Sequence, residues 1–146
     1  TAIKDIYAVV YVSNFYHPFY KKNIRLESYQ HAQNHGISAG KNIVGIQSEY
    51  KSIPWMWSNQ FNLNLQVSGV CDEYEEIIVR GKNIDEGIIY FFLKKEKIYG
   101  ACGLGLTGKI SKDIKIASKL IEMNIVIDKN ILSNQEQNLK LLLKNK

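Results

Sequence analysis

Three groups of side chains in this sequence have types and spacings that could do chemistry. Gly103-Leu104-Gly105-Leu106-Thr107-Gly108-Lys109 matches G-x-G-x-x-G and comes close to G-x-x-x-x-G-K-[ST], after an expected strand and before an expected helix. Glycines at that spacing let backbone N–H groups approach a pyrophosphate, and Asp128 falls about 20 residues further on, where a ribose-binding carboxylate belongs. Ile110 occupies the place of the magnesium-binding hydroxyl, however, and the strand closes an antiparallel run, so a parallel βαβ unit lacks its neighbours. A glycine-rich turn leading into a capped helix is the reading that fits. His31 and His35 stand at i and i+4, a spacing that can chelate zinc, but no glutamate lies between them and only His17 remains as a third ligand. A polar helix face is the simpler expectation. Trp55 and Trp57 flank Met56 just after Pro54. They are read as pointing to opposite sides of an extended segment, one into the core and the other free to cover something flat.

The remaining candidates are weaker. Cys71 and Cys102 lie 31 residues apart and form no C-x-x-C, which speaks against a zinc site or a disulfide-stapled secreted fold. No Ser/His/Asp or Cys/His grouping suggests nucleophilic catalysis, and Glu27, Asp72, Glu73, Glu75 and Glu76 make no recognisable acid–base pair. The net charge is +5, and the window from Lys94 to Lys119 holds seven lysines against Glu96 and Asp113, so it carries the whole excess. Lysine outnumbers arginine 17 to 2 and the aromatic residues lie elsewhere, which argues for a solvated basic face rather than a nucleic-acid site.

These candidates need elements to hold them. With 146 residues, 45% of them apolar and 23% charged, the chain has the composition of a globular protein with one ordinary domain or one domain and a short appendage. No stretch reaches the roughly 18 apolar residues needed to span a bilayer, and no signal peptide is visible. A reducing, cytoplasmic setting is expected. Opening on Thr1 rather than Met, the chain is expected to be a processed or truncated product.

Residues 6–12 (IYAVVYV) read as a buried strand, and a loop with Pro18 follows. From Leu26 to Gly45 the pattern turns helical, with a stripe of mostly small residues at Tyr29, Ala32, Gly36, Ala39 and Ile43 that would let a backbone or a flat ligand come close. Phe61, Leu63, Leu65 and Val67 alternate with Asn62, Asn64, Gln66 and Ser68, predicting a strand with its apolar side buried. Further strands are expected at Glu76–Arg80, Ile88–Leu93 and Lys97–Cys102, making an antiparallel meander. Ser111 is expected to cap a helix to about Met123, and Ser133-Asn134-Gln135-Glu136 reads as the capping box of a last helix burying Leu139, Leu142 and Leu143. The fold class is α+β: an antiparallel sheet with helices on one face, preceded by a strand-loop-helix piece.

Four segments carry a resemblance: residues 5–9 (DIYAV), 25–32 (RLESYQHA), 54–61 (PWMWSNQF) and 116–121 (IASKLI). Together they resemble the C-terminal third of the FAD-dependent ferredoxin reductases of the putidaredoxin, rubredoxin and biphenyl-dioxygenase reductase type. The resemblance implies that residues 1–50 are the end of an FAD-binding domain and residues 51–146 a C-terminal α+β interface domain that closes over the flavin. It places the helix starting near Glu27 and Ser28 at the flavin pyrimidine end, Tyr29 at the isoalloxazine and Trp57 near the ring. It also implies FAD as cofactor, NAD(P)H as electron donor, a small ferredoxin-type iron–sulfur protein as partner, and a nucleotide-binding portion that is not in this chain. The family has Gly-Asp after the I-Y-A-V run, the aspartate holding the ribityl chain. Here Val10 and Tyr11 stand there, at a cost of about 1.5–3 kcal/mol for the lost charge-assisted hydrogen bond. The isolated chain is expected to be catalytically inactive. The alternative is a non-catalytic interaction or dimerisation domain derived from that family, and unpaired apolar strand edges make a homodimer a reasonable expectation.

Overall fold

The computed structural model describes residue 3 and residues 5–144. The chain forms two compact units, Thr1–Pro54 and Trp55–Lys146.

The second unit is built on a five-stranded, wholly antiparallel sheet. The first unit holds two short strands, β1 (Phe15–His17) and β2 (Lys22–Ile24), and the sheet comprises β3 (Trp55–Gln60), β4 (Leu63–Gly69), β5 (Glu76–Arg80), β6 (Ile88–Lys94) and β7 (Lys97–Leu106). Its spatial order is β3-β4-β7-β6-β5. Strands β5, β6 and β7 form the meander, and the β3–β4 hairpin joins at β7. The β6–β7 turn places both Lys95 and Glu96 at positive φ (50° and 59°), the combination that matches the twist of a two-residue hairpin.

Helix α2 (Ser111–Met123) lies on one sheet face and buries Ile114, Ile116, Ala117, Leu120 and Ile121. It seats against β7 because that strand presents glycine. A Cβ added at Gly103 would meet the tips of Ile110 and Ile114 at 3.1 Å, and one at Gly105 would lie 2.9 Å from the Gly87 Cα. The G-x-G pair therefore sits within a strand as a smooth seat for the helix. Only Gly108, at φ +89°, belongs to the turn that follows.

Several expectations are corrected. Residues 6–12 are not a buried strand: Ile6, Tyr7, Tyr11 and Val12 are exposed, and Val10–Val12 is a 3-10 turn. No strand among the described residues lies beside this segment, and the Val10 carbonyl instead accepts from Ser13 N–H (3.2 Å) while Val10 N–H donates to His35 Nδ1 (3.3 Å). The alternation in β4 is inverted. Asn64, Gln66 and Ser68 are buried under α2, while Leu63, Leu65 and Val67 stay half-buried on the opposite face. The polar set is tolerated because it bonds to itself: Asn64 donates to Asn59 (2.6 Å), and Gln66 to Asn64 (2.7 Å) and to Ser111 Oγ (2.8 Å). Ser111 is thus engaged with Gln66, and Ile110 holds the N-cap position with no side-chain bond. Nor does a helix start at Ser133. Helix α3 (Lys129–Ser133) ends there, capped at its start by Asp128, and Leu139–Lys144 is a 3-10 turn that buries Leu139 and Leu142.

One charged side chain holds the C-terminal segment in place. Arg80, 5% exposed at the end of β5, donates to Asp113 on α2 (3.0 Å) and to the carbonyls of Ile131, Leu132, Asn134, Gln135 and Gln137. Arg80→Leu strands these acceptors and the Asp113 charge, and is expected to cost about 3–5 kcal/mol in chemical unfolding of the full chain. Asp113→Asn, which keeps a neutral acceptor, is expected to cost less.

Candidate functional site

Ser28 sets the start of α1 (Tyr29–Ile43). It is extended and its Oγ accepts from His31 N–H at 3.3 Å, leaving the first turn of the helix directed outward. Just before it, the exposed Glu27 carboxylate accepts a close hydrogen bond from the Arg25 guanidinium. Tyr29, the first helical residue, is 64% exposed. Of the small-residue stripe, Gly36 has nothing within 4 Å of an added Cβ and Tyr29 and Ile43 are exposed, whereas Ala39 is buried.

The buried face of α1 shares only Ala39 with that stripe. His31 (2% exposed), Ser38 and Ala39 turn inward, and His31 stacks on Phe15 with ring centroids 5.3 Å apart and planes 8° from parallel. His35 stacks on Tyr50 at 4.7 Å, and Tyr50 Oη lies 2.9 Å from His31 Nδ1. The expected polar surface is therefore an aromatic core. His17, fully buried, donates from Nε2 to the Ser52 carbonyl (3.1 Å), and His35 Nδ1 accepts from Val10 N–H (3.3 Å). Burial holds all three imidazoles below their ordinary pKa of 6.5, with the neighbouring His35 adding to the effect at His31. Burial also pushes the Tyr50 phenol up to about 12, so it remains a hydrogen-bond donor. Among the described residues no group of three or more His, Cys, Asp or Glu is placed to hold a metal ion.

Trp55 and Trp57 lie on one strand two residues apart and share a face, since side chains alternate along a strand. Their rings stack at 4.9 Å and 25°, with Trp55 half-buried and Trp57 40% exposed. Neither is a core residue, contrary to the expectation of one in and one out. Cys71 and Cys102 are free thiols pushed upward by burial, Cys71 to about 12, so neither is a thiolate nucleophile at neutral pH. The lysine-rich window is not uniform: Lys94 pairs with Glu73 at 2.8 Å, while Lys112, Lys115 and Lys119 are exposed on α2.

The exposed Trp pair at the head of a five-stranded sheet, with a helix seated on glycines, coincides with a known domain. The model of the family described as "Reductase C-terminal" matches residues 55–143. The chain belongs to this family. It is 30% identical over 144 residues to the anthranilate 1,2-dioxygenase system ferredoxin–NAD(+) reductase component of Burkholderia cepacia, spanning 98% of this chain and 34% of that one. It is 27% identical over 143 residues to the 5,5'-dehydrodivanillate O-demethylase ferredoxin reductase subunit of Sphingobium sp. (strain NBRC 103272 / SYK-6), spanning 97% and 34%. The fold matches the reductase in the covalent putidaredoxin reductase–putidaredoxin complex with a TM-score of 0.82 at 21% identity, over 92% of this chain and 31% of that one. The chain thus spans about a third of the length of the curated relatives it matches. It is a C-terminal domain of the ferredoxin reductase type, and among its described residues no helix is long and apolar enough to cross a membrane.

The histidine core has a pH signature. With folded pKa values lowered below 6.5, the unfolded chain takes up protons first as the pH falls. Stability contributed by this cluster is full above about pH 6.5 and is lost progressively as the pH falls below it. Urea unfolding of the full chain followed by tyrosine fluorescence is expected to show this acid slope, and His31→Phe is expected to make it shallower.

Proposed function

We propose that this chain forms the C-terminal part of an FAD-dependent NAD(P)H:ferredoxin oxidoreductase of the cytoplasm. In this reading residues 51–146 cover the flavin and contribute to electron transfer to a small iron–sulfur protein, and residues 1–50 are the end of the FAD-binding domain. The observation that carries it is the stacked Trp55–Trp57 pair, ring centroids 4.9 Å apart, within the P-W-x-W-S-x-Q segment.

Two features make the residues present fit a flavin. Tyr29 and Trp57, 64% and 40% exposed, are aromatic side chains of the kind that pack on a flat ring system. Val10, which occupies the place of the family's glycine, has the left-handed φ of 71° that a glycine would adopt, so the backbone keeps a shape that its β-branched residue disfavours. Glu27, Ser28, Tyr29 and Trp57 are the residues assigned to hold the cofactor: the α1 N-terminus with its dipole toward the negative pyrimidine end, and the two aromatic rings against the isoalloxazine. When bound, FAD supplies the two-electron to one-electron conversion between NAD(P)H and the iron–sulfur partner. Tyr11 in place of the aspartate weakens the grip on the ribityl chain, and the chain by itself is assigned no turnover.

A second reading has its own observation. The sheet face away from α2 is largely apolar and open, with Met56, Ile77, Val79 and Tyr90 each 38–43% exposed. That surface suits protein contact and favours an interaction or dimerisation module. Titration of FAD into the purified chain separates the two. Under the flavin reading tryptophan emission is quenched in the micromolar range, and Trp57→Leu weakens the binding. No quenching at high FAD, together with a dimer in sedimentation equilibrium, overturns the flavin reading in favour of the module.

A further inference from the structure

A cavity of about 550 Å³ lies within the second unit between α2 and strands β3 and β4, lined by Trp55, Gln66, Ser111, Lys115 and Ser118. Its volume falls in the range of small-molecule sites. Ser111, Lys115 and Ser118 are spaced i, i+4 and i+7 and so form one stripe of α2. Below them, Gln66 sits on the buried face of β4, in register with Trp57. Apart from Trp55 these lining side chains are polar, and none of them is a carboxylate.

Lys115 and the two hydroxyls favour a negative ligand, while Gln66 spends both of its N–H donors on Asn64 and Ser111. Lys115 has no ion-pair partner among the described residues, whereas Lys94 and Lys129 are held by Glu73 and Glu76. Lys112 and Lys119, one turn to either side, add positive charge over the same helix. Ser111 Oγ already accepts from Gln66 Nε2 at 2.8 Å, so its own proton is left to donate. The Ser118 hydroxyl has no side-chain partner among the described residues. Trp55 stacks with Trp57 and is one of the residues that line the cavity.

We infer that this cavity is a binding site for a small planar aromatic carboxylate, separate from the flavin contacts assigned to Tyr29 and Trp57. The ring lies against the indole of Trp55. The carboxylate takes the Lys115 ammonium and the hydroxyl protons of Ser111 and Ser118. A single ammonium with two hydroxyls offers donors to both oxygens of a carboxylate.

The test uses the full chain, with 2-naphthoate and its uncharged analogue 2-naphthalenemethanol as probes in two-dimensional NMR titrations. The expected result is saturable 2-naphthoate binding that shifts the Trp55 indole N–H and the Ser118 amide, with the alcohol about tenfold weaker. Lys115→Met, at an exposed position, is expected to weaken 2-naphthoate about tenfold while leaving the alcohol unchanged. Ser118→Phe, which fills the cavity, abolishes both. The inference is overturned by shifts that map away from the cavity, by no saturation at about 10 mM, or by unchanged carboxylate affinity in Lys115→Met. FAD quenching is read separately on the same variants, so failure of the flavin reading leaves this outcome intact.

Discussion

Arg80 is the only arginine in the second unit, and its guanidinium is the point on which the C-terminal segment closes. A guanidinium that is 5% exposed cannot be left without acceptors, because a desolvated charge costs several kcal/mol. Here its planar fork meets the Asp113 carboxylate and five backbone carbonyls between Ile131 and Gln137. Those carbonyls lie where α3 ends and the chain turns, and they would otherwise be orphaned. One residue thus ties together the edge strand β5, helix α2 and the run that carries Leu139 and Leu142 into the core. A lysine could not replace it, since a single ammonium presents three donors and no fork.

The other constraint on the sheet is the distance between α2 and β7. Gly103 and Gly105 let the helix backbone approach, and Ile110 and Ile114 occupy the space that side chains would have taken. Farther along the same helix face the neighbour is β4, whose inward residues are Asn64, Gln66 and Ser68. An apolar seat on one side of α2 and an amide-and-hydroxyl seat on the other leave a partly polar space beside Trp55. The sheet carries Trp55 and Trp57 on its edge strand β3.

The first unit depends on packing of another kind. Its core has few aliphatic side chains and is made instead from Phe15, His17, His31, His35 and Tyr50 in ring-to-ring contact. Imidazoles serve as flat aromatic fillers only while neutral, and burial keeps them so. The spacing of His31 and His35, which in isolation suggests a metal site, is used here to lay two rings against Phe15 and Tyr50.

Read alone, the sequence determined the α+β class, the positions of β5, β6 and α2, and the family, because these rest on local periodicity and on short segments that keep their residue types. Period-two and period-3.6 patterns survive without knowledge of neighbours. What only the tertiary structure decided was which face of each element is buried. Strand β4 alternates cleanly, but alternation is symmetric, and α2 chose the polar side because Gln66 donates to both Asn64 and Ser111. Helix α1 shows two candidate stripes, and the aromatic partners Phe15 and Tyr50, distant in sequence, selected the histidine one. The run from Ile6 to Val12 has every strand-forming residue yet no strand beside it among those described, and a strand exists only when its backbone groups find a partner. The same holds for Arg80, an unremarkable residue in the sequence whose six acceptors are assembled only by the fold.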